Sequence, residues 1–254
     1  MIQIEKEQWE DIPILIVTKH ASRQQPLPVI TYLHGFTSAK EDNLAIAYLL
    51  AEKGYRVLLP DAFLHGERTK GVDPVEQQLR FLEIVKQNVS DLETIKSMLE
   101  SRNWLVDDRF GLAGTSMGGI STAAALTNYP WIKVAAVLMG SPKLSEFAQG
   151  IISVAKEQGY LSSMTDDEIK EILLGLKQFD LSLHPDRLKG RPLFMWHGEE
   201  DAVVPFTHAF SFYEKIRADY QNPAHIRFLS EKKTGHKVSR FARLEAANWF
   251  AEQL

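Results

Sequence analysis

The sequence predicts an α/β protein in which helices flank a mostly parallel β-sheet. Short runs rich in β-branched residues alternate with longer segments of helical periodicity along the chain of 254 residues. The later short runs are continuously apolar, which is typical of strands buried on both faces. A chain of this length can bury roughly 70–75 % of its unfolded surface. We therefore expect a single domain covering residues 1–254.

Eight strands are expected in this sheet. A polar-apolar run at Ile2–Lys6 is suited to an antiparallel edge strand. The other seven predicted strands are Ile12–Thr18, Val29–Leu33, Arg56–Leu59, Phe110–Ala113, Val134–Met139, Leu193–Trp196 and His225–Leu229.

Helix starts are marked by side chains that can cap unpaired backbone N–H groups. Such starts are predicted at Ser38–Glu41, at Asp73–Glu76 and at Thr165–Glu168. In the second of these, Pro74 falls at the first helical position, where its missing N–H costs nothing. The stripe that follows it predicts one long helix with an apolar face, formed by Leu79, Leu82, Val85, Val89, Leu92, Ile95 and Leu99.

The segment 141–190 interrupts the alternation with about fifty residues of helical pattern between two predicted strands. A crossover helix needs far fewer residues. We interpret this segment as an inserted helical cap. The alternative is a set of extra helices packed away from any site.

The charge balance and the lack of cysteine exclude several classes of function. The 29 Lys and Arg residues against 33 Asp and Glu residues give a net charge of −4, which offers no electrostatic basis for binding nucleic acid or an anionic membrane. The absence of cysteine excludes disulfides, thiolate metal sites and a cysteine nucleophile. The N-terminus lacks a signal-peptide pattern and no apolar run could span a bilayer, so a cytoplasmic protein is expected.

The segment Gly114-Thr-Ser116-Met-Gly118 lies between a predicted strand and an alanine-rich helical run. A sharp strand-to-helix turn exposes a serine hydroxyl, and flanking glycines keep bulk away from the strained backbone. The helix N-terminus also favours developing negative charge. Ser116 is therefore a candidate nucleophile; the alternative is a glycine-rich turn with a capping serine.

A nucleophilic serine needs a base and a carboxylate that orients it. His236 lies on a loop after the last predicted strand, where α/β sheets place their sites. Asp201 follows the strand Leu193–Trp196 and is preferred over its neighbours Glu199 and Glu200 because it stands just before Ala-Val-Val-Pro. The order serine, aspartate, histidine is typical of one group of hydrolases.

Oxyanion stabilisation requires backbone donors beside the serine. The N–H of Met117, directly after Ser116, is one candidate. The loop after Val29–Leu33 supplies the other, the N–H of Phe36 in His34-Gly-Phe-Thr.

With these motifs the chain resembles the α/β-hydrolase superfamily over nearly its whole length. Within it, the chain is similar to small bacterial carboxylesterases grouped with dienelactone-hydrolase-like and prolyl-oligopeptidase-like proteins. The matching pieces are Tyr32–Phe36, Pro60–Gly66, Gly114–Gly119, Trp196–Asp201 and Gly235–His236. The resemblance implies Ser116 as nucleophile, His236 as general base and Asp201 as its orienting acid, with His197 shaping a turn. It implies an eight-stranded α/β-hydrolase fold.

The chain also departs from these groups. Dienelactone hydrolases proper use cysteine where this chain has Ser116, and the large propeller of prolyl-oligopeptidase-like enzymes has no room here. The segment Leu64–Arg68 replaces a commoner motif, which leaves His65 and Arg68 open as pocket residues or as a surface pair. His34, Phe63, His65 and Arg68 are the candidate substrate-binding residues. Further candidates for the pocket are Phe147, Tyr160, Leu161 and Phe179.

The sequence therefore predicts a serine hydrolase acting on small carboxylic esters of short- to medium-chain acids, without metal or other cofactor. By resemblance to known enzymes, an oxyanion loop with a single glycine implies acids of this chain length. The alternatives are a peptidase, an acyl-CoA thioesterase or acyltransferase with the same three residues, and a non-catalytic binding module. An exposed apolar cap surface could mediate a homodimer.

Overall fold

The structure is a computed structural model, and it describes residues 1–162 and 164–254. Eight strands belong to one sheet: β1 (Ile2–Trp9), β2 (Ile12–Lys19), β3 (Leu27–Leu33), β4 (Arg56–Pro60), β5 (Leu105–Thr115), β6 (Val134–Leu138), β7 (Leu193–Gly198) and β8 (Ile226–Glu231). Their order across the sheet is β1-β2-β4-β3-β5-β6-β7-β8.

Six of the strands run parallel, from β4 through β3, β5, β6 and β7 to β8. β2 pairs antiparallel with β4, and β1 pairs antiparallel with β2 at the edge. The predicted eight-stranded, mostly parallel sheet with an antiparallel N-terminal edge is confirmed. Parallel strands bring their carboxyl ends to one edge of the sheet, and the loops that follow them meet there.

The helices are α1 (Leu44–Glu52), α2 (Pro74–Leu79), α3 (Phe81–Ser101), α4 (Met117–Asn128), α5 (Leu144–Glu157), α6 (Asp166–Leu176), α7 (Phe206–Ile216) and α8 (Arg240–Gln253). Short 3-10 turns occur at His20–Ser22, Lys40–Asn43, Gly66–Arg68, Lys177–Phe179, Pro185–Leu188, Arg217–Asp219 and Pro223–His225. No helix in the described part of the chain combines the length and the apolar character needed to cross a membrane.

The sheet is covered on both faces, as its apolar strands require. α1 and α8 pack on one face through buried residues such as Leu50 and Trp249. α3, α4 and α7 pack on the other through residues such as Leu92, Ile120 and Phe212. The sheet is thereby fixed between two apolar layers, and it holds the loops at its edge in place.

Two of the three predicted helix caps are confirmed. The Asp73 carboxylate accepts hydrogen bonds from the N–H groups of Val75 and Glu76, and the Thr165 hydroxyl accepts one from Glu168. The prediction at Ser38–Glu41 is wrong, because Ser38 donates to the carboxylate of Asp42 at 2.7 Å. Asp42 also accepts from the Ala39 N–H at 3.1 Å, so the carboxylate that closes this turn comes one residue later than predicted.

The long helix predicted through Leu79 and Leu99 is interrupted at Arg80, which separates α2 from α3. Arg80 leaves helical geometry with φ −89° and ψ 11°. β5 begins five residues before the predicted start at Phe110. Asp107 and Asp108 there have positive φ values, so an irregular polar stretch hid the first part of the strand.

The segment 141–190, predicted as a helical cap, contains α5 and α6 and joins β6 to β7; its residue 163 lies outside the described residues. Leu144 and Ala148 of α5 are buried in the core. Phe147 meets the ring of Phe81 on α3 with 5.8 Å between centroids. The segment therefore packs on the helices next to the carboxyl edge of the sheet.

Candidate active site

Ser116 occupies the tight turn between β5 and α4. Its backbone has φ 54° and ψ −115°, a conformation that non-glycine residues rarely adopt. The Ser116 N–H donates to the Leu138 carbonyl at 2.9 Å, and the Ser116 carbonyl accepts from the Ile120 N–H at 2.8 Å. Hydrogen bonds to β6 and α4 thus hold the strained residue on both sides.

The glycines around Ser116 are required by close backbone packing. A Cβ on Gly114 would lie 2.2 Å from the carbonyl oxygen of Gly118. A Cβ on Gly118 would lie 2.0 Å from the carbonyl oxygen of Leu33. Any side chain at these two positions would push α4 away from β5 or β3, so the turn can form only with glycine.

Three side chains that are distant in sequence form one hydrogen-bonded series. Ser116 Oγ lies 2.8 Å from Nε2 of His236. The other ring nitrogen, Nδ1 of His236, lies 2.7 Å from Oδ2 of Asp201. The loops after β5, β7 and β8 bring these groups together at the carboxyl edge of the sheet. This spacing lets an imidazole take a proton from the hydroxyl while a carboxylate holds the ring.

The Asp201 carboxylate is buried and fully used as an acceptor. Its Oδ1 accepts from the N–H groups of Val203 and Val204 at 2.8 and 2.9 Å. Burial by itself would raise the pKa of Asp201. The hydrogen bonds from His197, His236 and the two N–H groups outweigh burial and hold this pKa well below its usual range. Asp201 therefore stays charged beside the imidazole.

The neighbouring carboxylates point elsewhere. Glu199 and Glu200 are exposed, and Glu199 accepts a hydrogen bond from the Ser230 hydroxyl at 2.8 Å. His197, predicted to shape a turn, is buried; its Nε2 lies 2.9 Å from the Val204 carbonyl and 3.2 Å from Oδ2 of Asp201. It therefore contacts the carboxylate as well as the turn, a contact that no sequence motif indicates.

Two backbone N–H groups flank the serine. Gly35 packs against it, since a Cβ built on Gly35 would lie 3.6 Å from the Cβ of Ser116. The next N–H along that loop is that of Phe36, and Met117 supplies the first N–H of α4. Neither donates a hydrogen bond to another of the described residues. Both donors are thus available beside Ser116.

Ser116 opens onto two cavities. The larger, of about 750 Å³, is mostly apolar and runs from Ser116 and Phe36 along α5. Its wall on α5 includes Phe147, Ile151 and Val154. The smaller, of about 300 Å³, shares Ser116 and Phe36 and also includes His236. The large cavity has the size of a small-molecule site.

Comparison with known proteins places this geometry in a family. The model of the prolyl oligopeptidase family matches residues 43–254. The chain belongs to the prolyl oligopeptidase family. The resemblance to prolyl-oligopeptidase-like proteins that the sequence motifs indicate is thereby confirmed.

Two relatives and one solved structure are similar to this family member. It is 41% identical over 255 residues to "Putative esterase YitV" of Bacillus subtilis (strain 168), covering 100% of both chains. It is 32% identical over 205 residues to "Esterase YjfP" of Escherichia coli (strain K12), covering 81% of each. TT1662 from Thermus thermophilus superposes over 100% of both chains with a TM-score of 0.78 and 21% identity, which shows a shared fold.

Four predicted substrate-binding residues of this family member do not line either cavity at Ser116. His34, His65 and Arg68 are buried, and each makes at least one hydrogen bond inside the protein. Arg68 pairs with Asp91 at 2.5 Å and with Asp11 at 2.8 Å, so it forms no surface pair with His65. Phe63 is half-buried and stacks below the guanidinium groups of Arg68 and Arg80. The structure thus places these four residues away from the two cavities that meet Ser116.

Of the other pocket candidates, Phe147 and Tyr160 line the large cavity. Leu161 lines a smaller adjoining hollow between α5 and α6, and Phe179 packs on the core. His208 on α7 also reaches the wall of the large cavity. Its Nδ1 lies 2.9 Å from the Ser141 hydroxyl, and its Nε2 lies 3.3 Å from Glu146. Burial lowers the pKa of His208.

His34 positions the loop that carries the Phe36 N–H in this family member. Its Nδ1 lies 2.8 Å from the Gly35 carbonyl, and its Nε2 accepts from the Ala62 N–H at 2.9 Å. A carbonyl only accepts and an amide N–H only donates, so these partners fix the neutral tautomer with the proton on Nδ1. Burial lowers the pKa of His34 to about 4.

Acid is therefore expected to destabilise the fold through His34. The unfolded chain takes up the proton near pH 6.5, whereas the folded chain resists it until about pH 4. Stability is thus lost as the pH falls between these values, by about 3 kcal/mol for this residue. Urea unfolding from pH 7 to pH 4 measures the loss. The matched variant His34→Gln should show a smaller loss over the same range; equal losses would contradict this role of His34.

Proposed function

We propose that this protein is a serine hydrolase that cleaves carboxylic esters through an acyl-enzyme intermediate. The observation that carries the proposal is the series from Ser116 through His236 to Asp201 at the end of an apolar cavity. Two relatives that carry the word esterase in their names support the choice of ester over other acyl compounds.

The first half of the reaction acylates the serine. His236 Nε2 takes the proton from Ser116 Oγ as this oxygen attacks the ester carbonyl carbon. The N–H groups of Phe36 and Met117 hold the negative oxygen of the tetrahedral intermediate. His236 then gives its proton to the alcohol oxygen as the bond between carbonyl carbon and alcohol oxygen breaks. Asp201 keeps the imidazole oriented and stabilises its positive charge.

The second half releases the acid. A water molecule takes the place of the alcohol, His236 accepts its proton, and the new hydroxide attacks the acyl carbon. Collapse of the second tetrahedral intermediate returns the proton from His236 to Ser116 Oγ and frees the carboxylic acid. The N–H groups of Phe36 and Met117 serve both steps.

The large cavity suits the acyl group, and segment 141–190 would act as the cap that covers it. From Phe147 to Ala155 the cavity follows α5 for roughly 12 Å. Burial of one CH₂ contributes about 0.8 kcal/mol. Esters of medium-chain acids should therefore be cleaved more efficiently than acetate esters.

A matched substrate panel tests the proposed function. We would compare an ester, a thioester and an amide of octanoic acid that carry the same aryl ring and differ only in the oxygen, sulfur or nitrogen atom that joins it to the acyl group. For each substrate, kcat/KM is divided by the rate constant of its uncatalysed hydrolysis. We expect this quotient to be highest for the ester. Preferential cleavage of the amide would favour a peptidase, and preferential cleavage of the thioester would favour a thioesterase. No cleavage by a folded protein would contradict the proposal.

Gly150 offers a test of the acyl cavity. It lies within α5 and lines the cavity, and a Cβ placed on it meets no atom within 4 Å. Gly150→Phe should insert a ring into the cavity mouth and lower kcat/KM for octanoate esters about tenfold or more, with little change for acetate esters. It should also stabilise α5 by roughly 0.3–0.5 kcal/mol, because glycine disfavours helices more strongly than phenylalanine does.

The control for this variant is Gly175→Phe. Gly175 lies in α6, has the same open space around its Cβ position and does not line the large cavity. The chain-length profile of Gly175→Phe should match that of the unmodified protein. Equal profiles for Gly150→Phe and Gly175→Phe would show that the acyl chain lies elsewhere.

A further inference from the structure

The smaller cavity differs from the larger one in its chemistry. Besides Ser116 and His236, its wall includes the hydroxyl-bearing Ser38 and Thr115 and the cations Lys237 and Arg243. The whole chain carries a net charge of −4, so a local excess of cations is not a consequence of overall composition.

The proton path assigns this cavity to the leaving alcohol, an argument that rests on the proposed function. His236 Nε2 must pass its proton to the alcohol oxygen as the ester bond breaks. The alcohol therefore departs on the side of the serine where His236 forms the wall. His236 lines the smaller cavity and is absent from the wall of the larger one. The acyl group would therefore bind in the larger, apolar cavity, and the alcohol would bind in the smaller, polar one.

The two cations lack an internal counter-ion. Among the described residues, no carboxylate lies within ion-pair distance of Lys237 or Arg243. In the part of the chain that the structure describes, the guanidinium of Arg243 donates one long hydrogen bond, 3.4 Å, to the Val238 carbonyl. The Lys237 N–H donates to the Gly235 carbonyl at 2.8 Å, which fixes the tight turn around His236 and keeps Lys237 beside it.

The acidic residue in this cavity is already engaged. Asp42 accepts hydrogen bonds from the Ser38 hydroxyl and the Ala39 N–H, and these contacts lower its pKa. Asp42 thus remains charged but is held by its own loop. Two cations against one engaged carboxylate leave the cavity positive, directly beside the position where the alcohol departs.

We propose that the preferred substrates are esters whose alcohol carries an anionic group, a carboxylate or a phosphate, and that Lys237 and Arg243 bind this group. These two residues would thereby determine specificity on the alcohol side, while α5 determines it on the acyl side. The reaction would release an apolar carboxylic acid and an anionic alcohol.

A set of octanoate esters that differ only at the far end of the alcohol tests this. The alcohols are 4-hydroxybenzoate, the neutral 4-hydroxybenzamide and 4-hydroxyphenyl phosphate. At low salt, the ratio of kcat/KM for the carboxylate ester over the amide-bearing ester should be about tenfold. The phosphate ester shows whether phosphate or carboxylate is the better fit. The ratio should fall as salt screens the cations.

Lys237→Gln and Arg243→Gln should each lower this ratio about threefold to fivefold, as expected for partly exposed charge pairs. The double variant should bring the ratio close to one. Lys232→Gln removes an exposed lysine of the same β8–α8 loop that does not line the cavity, and it should leave the ratio unchanged.

Two outcomes would overturn the inference: a ratio near one in the unmodified protein, or a ratio that the double variant does not change. Both require an enzyme that cleaves octanoate esters, so they leave the proposed function standing. Failure of the proposed function is different, since none of the three esters would then be cleaved.

Discussion

Replacing Asp201 with asparagine is expected to lower kcat for ester hydrolysis about 10⁴-fold while the protein stays folded. The two N–H groups of Val203 and Val204 donate to Oδ1 of Asp201, so they will hold the amide oxygen of asparagine at that position. The amide NH₂ must then occupy the place of Oδ2 and donate to Nδ1 of His236. The proton of the ring moves to Nε2, which can no longer accept the proton of Ser116.

The controls for this variant come from the adjacent residues. Glu199→Gln and Glu200→Gln alter exposed carboxylates in the same loop and should change kcat less than about threefold, an effect expected of charges away from the reacting atoms. Pre-steady-state kinetics should show that Asp201→Asn slows acylation itself. An equally large loss of kcat in either glutamate variant would contradict the role of Asp201 as the carboxylate that orients His236.

Replacing Lys40 with methionine is expected to reduce the free energy of unfolding by about 3–5 kcal/mol. Lys40 is buried, and its ammonium lies 2.7 Å from Asp61 and 2.6 Å from Glu67. Burial alone would lower the pKa of Lys40, but these carboxylates outweigh burial and raise it. Without the ammonium, the buried carboxylate of Asp61 loses its counter-ion.

Lys6→Met provides the matched control, because Lys6 is exposed and contacts the same Glu67 at 2.8 Å. We expect it to cost less than about 1 kcal/mol. The double variant Lys40→Met with Asp61→Asn should recover part of the loss, since it removes the uncompensated charge. Urea unfolding of the four proteins measures these differences. A loss for Lys40→Met no larger than that for Lys6→Met would contradict the account of this buried pair.

The strands and the serine turn were predictable because their signals are local. Continuous apolar runs identify buried strands, and Gly114 and Gly118 identify a turn that tolerates no side chain. Asp201 and His236 could be proposed because each follows a strand, and parallel strands end at one edge. The structure brings both to hydrogen-bond distance of their partners.

The walls of the site were not predictable from local patterns. Arg68 looks available in the sequence, yet it is neutralised by Asp91 and Asp11, which are distant along the chain. His34 is enclosed because Ala62, from the next loop, supplies a donor to its ring. Lys237 and Arg243 carry no motif. They share a cavity with Ser116 because the β8–α8 loop carries Lys237 and the first turn of α8 carries Arg243. Such pairings depend on the whole fold.

The most direct test of the central claim is to identify the residue that forms the covalent intermediate. A fluorophosphonate should label the unmodified protein once, peptide mapping by mass spectrometry should assign the adduct to Ser116, and Ser116→Ala should lose labelling together with about 10⁶-fold of kcat. An adduct on another residue, or a Ser116→Ala protein that cleaves octanoate esters at an undiminished rate, would contradict the account.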